Sequence, residues 1–222
     1  MAKFVLVHGA WGGGESWRSV ATLLRNQGHE VHVATLTGLG EKKHLLNPAI
    51  TLDTHVDDVL NLIAAHGLDD FVLAGHSYGG MIITEIANRL GGAIRALVYV
   101  DAFLPRDGEA LWDIADDPSR QHYIDAQRDM PGLVAPFPGA PSWLGRHPLL
   151  TLIQPVRMTG AETAISRRFY IYATRDAPTV FTKFHDRVSA DANWCSHDLP
   201  TGHGVMQEKP AETAEILVAA AA

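Results

Sequence analysis

Short apolar runs alternate with amphipathic stretches along this chain. Phe4-Val5-Leu6-Val7, Phe71-Val72-Leu73-Ala74 and Phe169-Tyr170-Ile171-Tyr172 are rich in aromatic and β-branched residues and bounded by turn residues. That pattern predicts strands near 3–7, 30–36, 70–74, 95–101, 168–174 and 193–199. Between them the period changes. Val56, Val59, Leu60 and Ile63 fall on one face of a helix. Helices are expected near 16–27, 52–66, 79–90, 177–188 and 210–220. Strands alternating with helices predict an α/β fold, a mostly parallel sheet of about six strands with helices on its faces.

One stretch breaks the alternation. Between the fourth and fifth strands, residues 105–165 contain Pro105, Pro118, Pro131, Pro136, Pro138, Pro141, Pro148 and Pro155. We expect a small cap insertion of short helices and loops there, with residues 1–104 and 166–222 forming the core. Insertions at the carboxyl edge of a sheet shape binding pockets. Trp112, Phe137, Trp143, Leu144 and Leu149 are candidate lining residues, and packing of the cap onto the core accounts for each equally well. Phe103 and Met158 are similar cases. Asp113-Ile114-Ala115-Asp116-Asp117 reads as a solvated face and a helix end.

The chemistry concentrates in three places. Gly75-His76-Ser77-Tyr78-Gly79 follows an apolar strand and precedes Met81-Ile82-Ile83, which matches the G-x-S-x-G nucleophile elbow. A serine hydroxyl is a weak nucleophile at neutral pH. It needs a base, an exposed position and donors for the oxyanion it creates. The first strand runs into His8-Gly9-Ala10-Trp11-Gly12-Gly13-Gly14. In an elbow architecture one oxyanion donor follows the nucleophile and another lies in this loop, which nominates the amides of Tyr78 and Ala10 and puts Trp11 beside the substrate. The glycines lack the G-x-G-x-x-G spacing and the following Lys-Ser/Thr of nucleotide-binding loops. Near the other end, His203 lies on a loop after the last strand, where a general base is expected. Two carboxylates compete to orient it. Asp176 follows the strand ending at Thr174, and Asp101 ends the strand 95–101. Both keep the order Ser…Asp…His. Asp176 is the preferred candidate and also reads as a helix N-cap; the choice stays open.

Composition narrows the class. At 222 residues and 46% hydrophobic, the chain suits one globular α/β domain. A net charge of −7 disfavours nucleic acid and anionic membrane as partners. The single Cys195 excludes an internal disulfide and suits a reducing compartment, so the cytoplasm is the expected location. No apolar run is long enough to span a bilayer. The histidines show no helical metal-ligand spacing, and neither metal nor cofactor is expected. A homodimer stays open.

Taken together, FVLVHGAWGGGESW (4–17), VLAGHSYGG (72–80), DAFLP (101–105), YIYATRD (170–176) and Gly202-His203-Gly204 resemble the α/β-hydrolase superfamily. The likeness is strongest to the group holding the plant methylesterases, such as the salicylate methylesterases, and the hydroxynitrile lyases. It covers nearly the whole chain. It implies a triad of Ser77, His203 and Asp176, an oxyanion hole at Ala10 and Tyr78, and an acyl-enzyme mechanism on a small, partly apolar ester. The lyases of this group carry Thr in the first oxyanion loop and Lys after the triad His; here those places hold Ala10 and Gly204. That favours the esterase branch. A lactonase, amidase, carbon–carbon hydrolase or lyase on the same triad is the alternative, and a ligand receptor a more distant one. The expected pocket residues are Trp11, Phe103, Trp112, Trp143 and Leu144.

Overall fold

Phe4, Val5, Leu6 and Val7 are all fully buried in strand β1 (Lys3–Val7). Successive side chains point to opposite faces of a strand. Phe4 and Leu6 accordingly join one core, Val5 and Val7 another. A strand apolar on both faces belongs inside a sheet covered on both sides. In the computed structural model, which describes residues 1–222, β1 does lie inside such a sheet.

The chain continues through α1 (Arg18–Asn26), β2 (Glu30–Val33), α2 (Leu52–Ala65), β3 (Phe71–His76), α3 (Gly79–Leu90) and β4 (Ile94–Val100). Residues 105–165 follow, with α4 (Leu111–Ile114), α5 (Asp117–Asp125), a hairpin of β5 (Leu133–Val134) and β6 (His147–Pro148), and α6 (Leu150–Ile153). Then come β7 (Arg167–Ala173), α7 (Thr182–Ser189), β8 (Trp194–Leu199), α8 (Val205–Glu208) and α9 (Pro210–Ala221). The main sheet has the order β2-β1-β3-β4-β7-β8, and every neighbouring pair is parallel. Helices α1 and α9 cover one face through Val20, Leu24, Ala214 and Leu217. The other face is covered by α2, α3 and α7, through Val56, Val59, Met81, Ile82 and Phe184, together with the 105–165 segment. No helix is long and apolar enough to cross a membrane.

The six expected strands and five long helices are present, with shifted ends. Helix α7 starts at Thr182 rather than near 177. Pro178 disfavours helical geometry at Ala177, and the chain turns through Ala177 N–H to Thr174 O before the helix begins. Asp116 does mark a helix end: it caps α5 by accepting Ser119 N–H at 3.0 Å.

The topology positions the site. The chain moves outward from β1 to β2, then returns to place β3 on the other side of β1. Loops leaving β1 and β3 therefore diverge, which opens a crevice at the carboxyl ends of the strands. Helix α3 starts directly under that crevice, and Gly80 in its first turn is packed so tightly that a methyl group would run into the Phe103 carbonyl. Overpacking of that kind costs about 1–3 kcal/mol. Gly80→Ala should lower the urea midpoint by a corresponding amount; an unchanged midpoint would contradict this packing.

Candidate active site

Ser77 sits between β3 and α3 with φ +54°. A non-glycine residue in that region is strained and persists only where its surroundings hold it. Here they do. Its N–H donates to Val100 O at 3.2 Å, and its carbonyl accepts the N–H groups of Gly80 at 3.0 Å and Phe103 at 3.1 Å. The turn closes this sharply because a Cβ is missing on both flanks. One on Gly75 would lie 2.6 Å from Gly79 O, and one on Gly79 would lie 2.9 Å from Val7 O. Ser77 thus stands at the N-terminal end of α3, where the helix dipole favours negative charge.

The carboxylate that meets His203 is Asp101. His203 Nδ1 donates to Asp101 Oδ2 at 2.7 Å. Asp101 is 1% exposed, follows β4 directly at φ +41°, and its Oδ1 accepts Ala173 N–H at 3.3 Å. A carboxylate only accepts, so Nδ1 carries a proton, and in the neutral ring Nε2 keeps its lone pair. Asp176, preferred from the sequence, does not meet His203. It lies beyond the end of β7 on an exposed turn, and its one ion-pair contact is with Arg175 at 3.9 Å. β4 is a central strand beside β3, so its carboxyl end lies next to the Ser77 turn and under the His203 loop. The turn carrying Asp176 faces solvent, where Arg175 clamps Glu208. Two more contacts fix His203. Phe181 stacks on its ring at 4.9 Å and 9°, and His76 Nε2–H donates to its carbonyl at 2.8 Å.

The loop after β1 runs alongside Ser77: a Cβ on Gly9 would lie 3.0 Å from Ser77 Cβ. The amides of Ala10 and Tyr78 donate to no backbone or side-chain acceptor of the protein. They are the two donors expected from the sequence, and they flank Ser77 from the β1 loop and from the start of α3.

Ser77, His203, Gly9, Ala10 and His76 open into one cavity of about 510 Å³. Its walls include the expected Trp11, Phe103, Trp143 and Leu144, and also Phe137. Trp112 is not among them. It packs on the core beside Tyr123, with ring centroids 6.4 Å apart, and leaves the wall to Tyr123. Leu149 packs on the core and Met158 lines a separate groove. Sequence reasoning missed Tyr123, Val180, Phe181 and Gln207 as wall residues. Tyr123 lies on α5 and Trp112 on α4, with extended backbone at Ala115 and Asp116 between them, so no helical phase linked the two in the sequence. No Asp, Glu, Lys or Arg lines this cavity.

Four histidines at or behind the site are buried and neutral. His8 donates from Nδ1 to Gly9 O at 2.8 Å and accepts Leu36 N–H on Nε2. His55 donates from Nε2 to Thr37 O and accepts the Tyr78 hydroxyl on Nδ1. Burial pushes both down to about 4. Burial also holds His76 and His147 well below the usual imidazole value. No group of three or more His, Cys, Asp or Glu side chains is arranged to hold a metal ion.

The chain belongs to the alpha/beta hydrolase family, whose sequence profile matches residues 4–216. It is an esterase-type enzyme. A carbendazim hydrolyzing esterase of Nocardioides sp. (strain SG-4G) is 39% identical, covering 99% of each chain. Salicylic acid-binding protein 2 of Nicotiana tabacum is 34% identical over 46% of this chain and 40% of its own length. An extracellular alpha/beta-hydrolase from a Paenibacillus species superimposes with a TM-score of 0.85 at 23% identity, covering 99% of both chains.

The buried histidines carry a consequence for stability. His8 and His55 titrate at about 4 in the fold against 6.5 when free. The unfolded chain therefore binds more protons between those values, so stability is full above pH 6.5 and falls as the pH drops toward 4. The loss amounts to roughly 3 kcal/mol for each ring. Urea unfolding at pH 7, 5.5 and 4.5 should show this decline, and a flat profile would contradict it.

Proposed function

We propose that the protein hydrolyses small, neutral, aromatic carboxylic esters and carbamate esters through Ser77, His203 and Asp101. The observation that carries this reading is the His203 Nδ1 to Asp101 Oδ2 hydrogen bond of 2.7 Å, in the same cavity as an elbow serine. Asp101 orients the imidazole and stabilises its charged form. His203 Nε2 takes the Ser77 proton as Oγ attacks the carbonyl carbon, then gives it to the departing alcohol. The Ala10 and Tyr78 amides receive the oxyanion, each worth about 3 kcal/mol in such sites. Water then attacks the acyl-enzyme by the same route, releasing the acid and restoring Ser77.

The walls support the substrate class. Trp11, Tyr123, Phe137, Trp143 and Phe181 offer flat apolar surfaces, and there is no formal charge to pair with an ionised substrate. An aromatic ring suits such a pocket. A product carboxylate finds no cation to retain it. Two of the relatives carry the names of small aromatic compounds, carbendazim and salicylic acid. In this reading residues 105–165 act as the cap that supplies much of the pocket.

Initial rates on methyl benzoate, aryl esters of graded acyl length and carbendazim test the assignment. Ser77→Ala should abolish turnover with the fold intact. Asp101→Asn should lower kcat by about 10³–10⁴-fold by stabilising the wrong tautomer. Asp176→Asn should stay within about threefold, as exposed surface changes do. The reverse ranking of the two Asp variants would overturn the assignment.

A further inference from the structure

Trp11 is where the β1 loop meets the 105–165 segment, and three of its groups are bound there. Its backbone N–H donates to His147 Nδ1 at 3.2 Å, and its indole Nε1–H donates to Val134 O at 3.0 Å. Its own carbonyl accepts Gly145 N–H at 3.0 Å. Val134 and His147 face each other across the β5–β6 hairpin, so one rung of that hairpin grips both the backbone and the side chain of Trp11. Trp11 also holds φ +63°, a conformation its surroundings must enforce. The residue before it is Ala10, which lines the Ser77 cavity and whose amide has no acceptor in the protein.

His147 is built to accept. It is fully buried, and its Nε2 lies 2.7 Å from Thr151 Oγ. The Thr151 hydroxyl gives its hydrogen to Pro148 O at 2.7 Å, so Nε2 must donate to Thr151 and Nδ1 must present a lone pair. Burial, reinforced by His55 and His8, keeps the ring neutral. Trp11 lines the substrate cavity, whereas His147 does not.

We propose that His147 is a positioning residue for the oxyanion hole: by accepting Trp11 N–H it fixes the β1 loop and so aims the Ala10 amide at the Ser77 site. The proposal rests on the serine-esterase reading. It makes the hairpin of the 105–165 segment part of the apparatus that stabilises developing charge, beyond forming a wall. An amide aimed at a transition-state oxygen affects the chemical step more than ground-state binding.

The test compares His147→Asn, whose Oδ1 takes the place of Nδ1 as acceptor, with His147→Leu, which has none. Ester kcat and KM are measured on the full chain, together with the rate at which a p-nitrophenyl alkylphosphonate modifies Ser77. For His147→Leu we expect kcat and the phosphonylation rate to fall about 10–100-fold, the scale of a misplaced catalytic group. KM should move less than about threefold, and His147→Asn should recover most of the rate. Wild-type kcat in His147→Leu overturns the proposal. So does a raised KM at unchanged kcat, or an equal loss in His147→Asn. Should His147→Leu fail to fold, Thr151→Val frees the ring at Nε2 and should lower kcat several-fold at unchanged KM; an unaltered kcat there overturns the proposal. A wild-type chain that the phosphonate does not modify at Ser77 overturns the serine-esterase reading itself, a result distinct from all the others.

Discussion

The near-contact of Gly75 with Gly79 is the constraint on which the site depends. Only because neither carries a Cβ does β3 turn into α3 within two residues, with Gly79 pressed against the carbonyls of Val7 and His8. That turn forces Ser77 to φ +54° and lifts its side chain to the carboxyl edge of the sheet. The same close packing brings the β1 loop beside Ser77. Both proposed oxyanion donors thus follow from where backbone approaches backbone.

The rest of the site is assembled across the sheet order. β4 lies next to β3, so Asp101 at its end lies beside the elbow and beneath the loop carrying His203. Ser77, Asp101 and Trp11 all hold positive φ. Three of the four non-glycine residues with positive φ thus lie around one crevice, the fourth being Asp70 just before β3, and hydrogen bonds from neighbouring elements hold the strain in place. The cost of ordering these residues is met before any substrate arrives, which is what preorganised electrostatics require.

How much of this could be read from the sequence depended on how local each feature is. The strands, the elbow and the glycine-rich loop are written in consecutive residues, so Ser77, Tyr78 and Ala10 could be named at once. His203 could be named from its place after the last strand. The acid could not, because Asp101 and Asp176 both follow strands and both keep the chain order. Only the pairing of β4 with β3 decides between them, and that pairing is not a local property. Trp112 failed for a related reason: in a four-residue helix the phase is set by packing, which turned Trp112 to the core and left Tyr123 at the wall. The two-residue strands β5 and β6 are too short to show a period of two, so the hairpin that grips Trp11 left no mark in the pattern.

The most direct measurement is a crystal structure of the protein after reaction with a phosphonate ester. The account predicts phosphorus bonded to Ser77 Oγ, its anionic oxygen within hydrogen-bonding distance of the Ala10 and Tyr78 amides, and His203 still joined to Asp101. An adduct on another residue, an oxygen turned away from those amides, or His203 paired with Asp176 would contradict it.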